Sequence, residues 1–224
     1  MAKKLNVAKK YEFTVVAVDV AIFTVEQGRL NVLLIKMQKE PYLEHWALPG
    51  GLVRPEEAVD DAARRHLVEK TGVKDVYLEQ LHTFGEPRRD PFGRVVSVCY
   101  MALIPNENLR IMTTDEYGGV RWFPVSRLPQ LAYDHAKMTK AALERLRAKL
   151  GYTNIVYAIM PKEFTLTVLQ NVHEMIAGKK LDKRNFRKRM LATGFLKKLK
   201  RQQKGRANRP ADLYACTPIR EKSL

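Results

Sequence analysis

The sequence predicts a domain of the α/β (α+β) class, followed by a small winged helix-turn-helix domain. The first observation is a pair of apolar, β-rich runs at 13–25 and 31–38, which precede a helical stretch. The second is two short helical patterns around a glycine-containing turn, at 164–194. The third is charge: residues 179–224 hold 16 of the 40 Lys and Arg but three of the 24 Asp and Glu, so they carry +13 of the net +16. This asymmetry indicates a polyanion-binding module, most often for nucleic acid.

The composition argues against several protein classes. A hydrophobic content of 46% supports a packed core. Cys99 and Cys216 lack the spacing of a zinc site or a disulfide framework, so both are expected as free thiols. The basic N-terminal stretch has no apolar run after it, which argues against a signal peptide, and no apolar run reaches the roughly 20 residues of a membrane helix. We therefore expect a cytoplasmic protein with no membrane partner.

We interpret residues 1–132 as the body of the α/β domain. Strands are expected at 13–25, 31–38, 76–84 and 95–105, with a Gly- and Pro-rich loop at 47–55 and a closing segment at 120–129. The helix after the loop is expected to hold Pro55 in its first turn, with Glu56 and Glu57 near its positive end. Gly72 suits the left-handed position that follows the last turn of such a helix.

A further helix is predicted over 134–151. Asp134 suits its N-cap, and Gly151 is expected to end it. Its apolar stripe consists of Met138, Leu143, Leu146 and Leu150. Because this helix lies between the nearly neutral and the strongly basic parts of the chain, we expect it to bridge them. The predicted domains are therefore 1–150, which includes the bridging helix 134–150, and 151–224.

The basic segment has the pattern of a folded helix-turn-helix, which argues against the alternative of a disordered basic tail. Apolar residues recur at helical spacing in both of its helices: Leu169, Val172 and Ile176 in 164–178, and Phe186 and Met190 in 182–194. Asp182 is suited to cap the second helix. Its basic side chains are left largely to the other faces, where they are free to meet a partner.

The apolar runs at 195–199 and 212–218 flank a basic stretch and predict a two-stranded wing with a basic tip. Arginine can read guanine and asparagine can read adenine in the major groove, whereas most other contacts reach phosphates. The candidate DNA-binding residues are Lys183, Arg184, Asn185, Arg187 and Lys188 on the second helix, and Lys204, Arg206 and Arg209 on the wing. Double-stranded DNA is the expected partner.

Residues 51–73 resemble the Nudix signature, G-x(5)-E-x(7)-R-E-U-x-E-E-x-G-U with U apolar. The matching positions are Gly51, Glu57, Arg65, Leu67, Glu69, Gly72 and Val73. In that signature, carboxylates one turn apart on a helix hold the Mg²⁺ that neutralises a diphosphate and orients the attacking water. This resemblance implies a Nudix-type α/β/α sandwich.

The metal-binding face of the signature is altered in this chain. Positions 66, 69 and 70 read His66, Glu69 and Lys70, so one of three carboxylates remains. A lysine about 4 Å from a divalent ion costs roughly 8 kcal/mol at an effective dielectric of 20, and neutral histidine is a poor Mg²⁺ ligand. We therefore interpret Glu57, Arg65, His66, Glu69 and Lys70 as a vestigial box, with no catalytic residue, no metal ligand, no required cofactor, and Mg²⁺ binding weak or absent.

The loop "RRDPFGR" at 88–94 is expected to lie near the pocket of the first domain. Guanidinium groups bind phosphate through forked hydrogen bonds, and glycines allow the backbone to approach a ligand closely. The candidate effector-binding residues are Gly50, Gly51, Arg65, Arg88, Arg89 and Arg94. For Arg65, an ion pair with Glu69 one turn along the helix remains the alternative to a phosphate contact.

Three stretches resemble the NrtR family of Nudix-related transcriptional regulators of NAD metabolism: the altered box, residues 80–103, and residues 164–194 with 205–214. This resemblance covers almost all of 11–217. It implies a homodimeric bacterial repressor that binds a palindromic operator through a C-terminal winged helix, at the nucleoid when bound. It also implies a sensor domain that responds to ADP-ribose or another NAD-derived nucleotide.

Several alternatives remain open at this point. The chain could be an active Nudix hydrolase, such as an ADP-ribose pyrophosphatase with a basic accessory domain, or an RNA-binding or RNA-decapping Nudix protein. Related Nudix regulators respond to sugars, and the sequence does not distinguish that branch. The operator, the regulated genes, the effector and the sign of regulation are likewise not determined by the sequence.

Overall fold

The computed structural model describes residues 13–108, 118–151, 153–203 and 210–216. The first part of the chain folds around one mixed sheet. Its strands are β1 (Val15–Glu26), β2 (Arg29–Lys36), β3 (Trp46–Ala47), β4 (Gly50–Leu52), β5 (Tyr77–Phe84), β6 (Val95–Leu103) and β7 (Gly119–Pro124). Strand β1 is central, because it pairs with β6 in parallel along one side and with β4 and then β2 in antiparallel along the other.

Two helices cover the two faces of this sheet, as expected of an α/β/α sandwich. Helix α1 (Val59–Thr71) packs Ala63 and Leu67 against a buried layer that includes Val20 of β1. Helix α2 (His135–Lys149) packs Met138 against the opposite face, with Phe23 of the same strand. Because side chains alternate across a strand, β1 supplies buried apolar groups to both layers.

The segment around the altered box differs from the prediction in two respects. The expected loop at 47–55 contains β4, which pairs with β1 from Asp19–Gly50 to Ala17–Leu52. Helix α1 begins at Val59, so Pro55, Glu56 and Glu57 lie before it, and the acids of its first turn are Asp60 and Asp61. The helix ends as predicted, with Gly72 in the left-handed conformation at φ 68°.

The bridging helix is shorter than predicted, because it ends at Lys149, and Leu150 at its end keeps right-handed backbone angles. Asp134 occupies the N-cap position, but its side chain caps no backbone N–H. Of the predicted stripe, Met138 and Leu146 are fully buried, whereas Leu143 and Leu150 are partly buried.

The basic part folds as predicted into two helices and a two-stranded wing. The helices are α3 (Leu166–Ala177) and α4 (Lys183–Ala192), and the strands are β8 (Leu196–Gln203) and β9 (Ala211–Cys216). Thr165 and Asp182 cap the two helices, because their side chains accept from Val168 N and Asn185 N. The wing is joined to the start of α3 by paired backbone hydrogen bonds between Phe164 and Tyr214, at 3.0 and 2.8 Å.

Helix α2 contacts both parts of the chain. Its buried side chains belong to a continuous apolar cluster that includes Phe23 of β1 and Val172 and Ile176 of α3. The Arg147 Nε donates a 2.9 Å hydrogen bond to the carbonyl oxygen of Ile176, near the end of α3. The bridging role predicted for this helix therefore has direct contacts at both ends. In the part of the chain that the structure describes, no helix combines the length and apolarity needed to cross a membrane.

Candidate functional site

A cleft of about 400 Å³ opens on the α2 side of the sheet, where β4 pairs with the first half of β1. Its volume is within the range typical of small-molecule sites. Its lining residues are Ala17, Asp19, Ile35, Met37, Lys39, Glu40, Ala47, Leu48, Gly50, Gly51, Leu52, Arg89, Asp90, Phe92, Val95, Tyr133 and His135. The walls are therefore mainly apolar, with a few charged groups.

A buried polar network lies at this cleft. Asp19 is an acid within the apolar run of β1, and Ser97 Oγ of β6 donates to its Oδ2 at 2.5 Å. Arg89 donates to Asp134 through Nη2 at 2.8 Å and Nε at 3.1 Å, and its Nη2 lies 3.6 Å from Asp19 Oδ2. Arg89 is only 7% exposed, so this pairing compensates a charge that burial would otherwise destabilise.

His135 completes the network as a neutral imidazole. Its Nδ1 accepts a 2.9 Å hydrogen bond from Leu48 N, so we assign the proton to Nε2, which lies 3.4 Å from Asp19 Oδ1. Burial lowers the pKa of His135. Tyr133 packs against His135 with ring centroids 5.2 Å apart, and burial raises the pKa of its phenol. These aromatic groups and Phe92 give the cleft surfaces on which a planar ligand could stack.

The structure brings together part of the predicted effector set. Gly50, Gly51 and Arg89 line the cleft. Arg88 is exposed and does not line it, and Arg94 donates from Nη1 to the carbonyl oxygen of Gly85 at 2.7 Å. The sequence interpretation missed Asp19 and His135. The sequence did contain a signal for Asp19, because it is a carboxylate within an otherwise apolar strand. No feature of the sequence marked His135 as part of the site.

Arg65 lies on the other face of the sheet from the cleft network and is committed to Glu57. Its Nε donates to Glu57 Oε1 at 2.7 Å and its Nη2 donates to Oε2 at 2.8 Å, which forms a two-pronged pair. The guanidinium lowers the pKa of Glu57 to about 2. The predicted alternative partner, Glu69, is further away, with Oε1 at 3.6 Å from Nη1. The main partner of Arg65 is therefore Glu57, which the sequence analysis did not propose as its partner.

The His66 ring packs against Gly51 of β4, on the face of the sheet that α1 covers. A Cβ on Gly51 would meet the His66 ring at 2.9 Å, so only glycine allows the ring this position. Burial and then the charge of Arg65 lower the pKa of His66, whose Nδ1 is 3.4 Å from Glu69 Oε2. Lys70 is 1% exposed, as part of the inward face of α1.

The side chains of the altered box do not fit Mg²⁺. That ion needs several free oxygen ligands in octahedral geometry, whereas Glu57 is held by Arg65, and Glu69 lies between Arg65 and His66. Within the described ranges, which omit 109–117, no group of three or more His, Cys, Asp or Glu is placed to hold a metal ion.

The second candidate surface is the outward side of α4. Phe186 and Met190 face the core, as predicted. Lys183, Arg184, Asn185 and Lys188 are exposed, so this set remains available to DNA. Leu191 is also exposed, at 52%, although it is apolar.

Arg187 differs from the other predicted DNA residues, because it is half-buried between the two helices. Its Nη2 donates to Thr167 Oγ1 of α3 at 3.3 Å, and its buried Nε has no hydrogen-bond partner among the described residues. Arg187 therefore also packs within the helix-turn-helix, and its contact with DNA stays a prediction. Lys204, Arg206 and Arg209 lie outside the described residues.

The turn between the helices is organised by Glu174. Its Oε1 accepts from Leu181 N and from Gln170 Nε2, both at 3.0 Å, and its Oε2 accepts from Lys180 Nζ at 2.7 Å. Lys180, followed by the Leu181 backbone and Gln170, lowers the pKa of Glu174 to about 2. Gly178 takes the left-handed conformation at φ 70° that starts this turn. The turn geometry therefore depends on one nearly buried carboxylate.

Two family models match the chain. The NUDIX domain model matches residues 14–142, and the NrtR DNA-binding winged helix domain model matches residues 156–216.

Three relatives are informative. The chain is 39% identical, over 91% of its length and 82% of the relative, to the ADPR responsive transcriptional repressor NtrR of Acinetobacter baylyi. It is 34% identical, over 49% of its length and 64% of the relative, to an ADP-ribose pyrophosphatase of Methanocaldococcus jannaschii.

The third relative is NrtR of Shewanella oneidensis. Its structure with a 27mer DNA matches with a TM-score of 0.80 and 34% identity, covering 90% of this chain and 93% of the other. The structure of its NUDIX domain with ADP ribose matches with a TM-score of 0.54 and 35% identity, covering 61% of this chain and 90% of the other.

Proposed function

Because the chain belongs to the NrtR family of Nudix-related transcriptional regulators, we propose that it is a repressor of NAD-metabolism genes that releases DNA when it binds an ADP-ribose-like nucleotide. One observation carries this proposal. The same chain joins a Nudix fold to a helix-turn-helix with an exposed basic helix. In the Nudix fold, the carboxylates of the altered box contact Arg65 and His66 of the same chain. That combination suits sensing and DNA binding better than metal-dependent hydrolysis.

The effector site is the cleft beside Asp19, Arg89 and His135. Its apolar walls and aromatic groups suit a base, and its few polar groups suit the hydroxyls and phosphates of a nucleotide. Gly50 and Gly51 line its edge, where the absence of side chains lets Asp19 and the His66 ring pack closely against β4. We retain Arg89 from the predicted set as the cationic contact, because it lines the cleft and Arg88 and Arg94 are directed elsewhere.

Hydrolysis is not part of the proposed role. The box lacks two of three helix carboxylates, and both the remaining one, Glu69, and Glu57 before the helix are engaged in ion pairs with Arg65. The ligand would therefore bind and dissociate intact, with Mg²⁺ binding weak or absent.

DNA recognition would use α4 and the wing of two chains in a two-fold dimer. A two-fold dimer matches an inverted repeat with half-sites about one helical turn apart. The homodimer and the palindromic operator are proposed from the resemblance to the NrtR family, and DNA binding would place the protein at the bacterial nucleoid.

The test begins with duplexes selected from a random-sequence pool by the purified full chain. Operator affinity is then measured without ligand and with ADP-ribose, NAD or a free pentose. We expect an inverted repeat whose binding weakens by at least about fivefold with ADP-ribose, in the range of ordinary allosteric coupling. Stronger binding to single-stranded RNA, a response to the pentose alone, or rapid Mg²⁺-dependent cleavage of ADP-ribose would contradict the proposal in favour of one of the alternatives.

A further inference from the structure

Arg89 connects the cleft to the first turn of α2. Its side chain reaches Asp134 through Nε and Nη2 and approaches Asp19, so one guanidinium compensates one buried carboxylate and one that is largely buried. No hydrogen bond from its Nη1 occurs among the described residues, and Arg89 lines the cleft. An anionic ligand group therefore has a donor available on the same side chain that holds Asp134.

Asp134 is also structurally joined to α2. Its carbonyl oxygen accepts from Lys137 N at 2.9 Å and from Met138 N at 3.3 Å, which form the first turn. Its carboxylate caps no backbone N–H, because it is directed to Arg89 instead. A shift of the Asp134 backbone would therefore carry the N-terminal turn of α2 with it.

The other end of α2 lies against the helix-turn-helix. Arg147 donates from Nε to Ile176 O, one residue before the end of α3, and its Nη2 lies 3.6 Å from the position of a Cβ on Gly178, where the turn begins. The 15 residues of α2 span about 22 Å at 1.5 Å per residue. Met138, Ala142 and Leu146 in its middle are fully buried, so the helix forms one continuous packed connection between the cleft and the turn.

We infer that Arg89 is a positioning residue, whose pair with Asp134 holds α2 in the orientation that binds DNA and is weakened when a ligand anion takes the guanidinium. This inference rests on the proposed function and identifies the contact that couples ligand binding to DNA binding. Two carboxylates that share one cation lose compensation when a third anion competes for it, so Asp134 moves away and α2 follows. Ligand binding and DNA binding then favour different α2 positions, which is the requirement for coupling.

The principal test is Asp134→Asn in the full chain. Operator Kd is measured with and without saturating ADP-ribose, and ADP-ribose Kd is measured with and without operator, because linkage requires the same ratio in both directions. The coupling ratio is the operator Kd with saturating ADP-ribose divided by the operator Kd without it. We expect this ratio to be at least about fivefold for the wild type and below roughly twofold for Asp134→Asn. Binding of ADP-ribose alone should persist, because Arg89 and the cleft remain. A purely structural role for Asp134 would lower thermal stability without changing the ratio.

Arg147→Gln provides a second test at the far end of α2, where no cleft residue is altered. It should reduce the ratio similarly while the free protein still binds ADP-ribose. Glu144→Gln is the matched control, because it removes a carboxylate from the same helix at an exposed pair with Lys140, and it should keep the wild-type ratio.

The outcomes separate the two proposals. A wild-type ratio of one would overturn the proposed function, and this inference with it. A wild-type ratio above about fivefold that Asp134→Asn and Arg147→Gln leave unchanged would overturn the inference alone. If Asp134→Asn does not fold, Arg147→Gln decides by the same criterion.

Discussion

The Arg65 guanidinium holds the Glu57 carboxylate through two hydrogen bonds, of 2.7 and 2.8 Å, at the position where a Nudix hydrolase signature places one of its acids. This pair joins α1 to the segment that precedes it. Glu69 also lies within 3.6 Å of Arg65 and 3.4 Å of His66, so both remaining acids of the box have partners among their neighbouring side chains. Arg65 also donates from Nη2 to the carbonyl oxygen of Leu52 at 3.4 Å, which links α1 to β4.

The first prediction concerns catalysis. With Mg²⁺ and ADP-ribose, the protein should show turnover far below the roughly 1 s⁻¹ that marks the lower end of ordinary enzymes. The reason is the missing carboxylates at His66 and Lys70 and the engagement of Glu57. Product release is followed by chromatography, with His66→Glu/Lys70→Glu as a comparison that restores the acids. Turnover of the unaltered protein near 1 s⁻¹ would show that metal ligands come from elsewhere.

The second prediction concerns the phosphate and base contacts of α4. If about six phosphates are contacted, log affinity against log salt should have a slope near −5. Arg184→Ala and Asn185→Ala should each relax sequence preference by about 1–3 kcal/mol if they reach bases. Lys140→Ala, on the exposed side of α2, serves as the control for loss of charge. Gel-shift titrations over operator variants and salt measure both effects, and equal losses for Lys140→Ala and Arg184→Ala would refute the assignment.

The third prediction concerns Leu191, which shares the outward face of α4 with Arg184 and Lys188 at helical spacing. An exposed leucine beside basic residues suits the methyl group of thymine in the major groove. Replacing thymidine by deoxyuridine in the contacted half-site should weaken wild-type binding by about fourfold, since one buried methylene-sized group contributes about 0.8 kcal/mol. Leu191→Ala should abolish this difference. An equal response of both proteins to deoxyuridine would place Leu191 outside the contact.

The fourth prediction concerns the start of α4. Asp182 accepts a 2.8 Å hydrogen bond from Asn185 N, so Asp182→Ala should lower the free energy of unfolding by about 1 kcal/mol. Asp182→Ser keeps a capping oxygen and should lose much less. Chemical unfolding followed by circular dichroism measures the difference. Equal losses for the two variants would mean that the side-chain cap contributes nothing.

The fifth prediction concerns pH and His173, which lies in the helix-turn-helix core with its ring centroid 5.0 Å from that of Phe186. Burial, followed by the charge of Arg189, lowers the pKa of His173 from 6.5 to about 4. Between these values the unfolded chain binds the proton and the folded chain does not. Stability is therefore present above pH 6.5 and falls as the pH approaches 4, by up to roughly 3 kcal/mol.

The measurement for His173 is unfolding free energy from pH 7 to pH 4 for the wild type and His173→Leu. The variant should lose this part of the pH dependence, since leucine does not titrate. His82→Leu, at an exposed position of β5, is the control for loss of a histidine. Parallel pH curves for the wild type and His173→Leu would contradict the prediction.

Local patterns predicted most of the elements, because each is set by residues close in sequence. The periods of the apolar residues located α3 and α4, and Gly72 and Asp182 marked helix ends through their own backbone chemistry. The start of α1 was placed too early, since Pro55, Glu56 and Glu57 are compatible both with a first turn and with the turn before it. The strand β4 was missed because it owes its existence to pairing with β1, and two glycines carry no strand propensity.

The sequence by itself determined the fold class, the family and the separation of charge between the two parts, since these depend on spacing and composition. Only the tertiary structure decided which charged groups meet. Arg89 joins Asp19 and Asp134, which are 70 residues before it and 45 residues after it, and Arg65 takes Glu57 in preference to Glu69, its neighbour on the helix. The physical reason is that ion pairs form between groups that folding brings within a few ångströms, and distance along the chain does not specify that proximity.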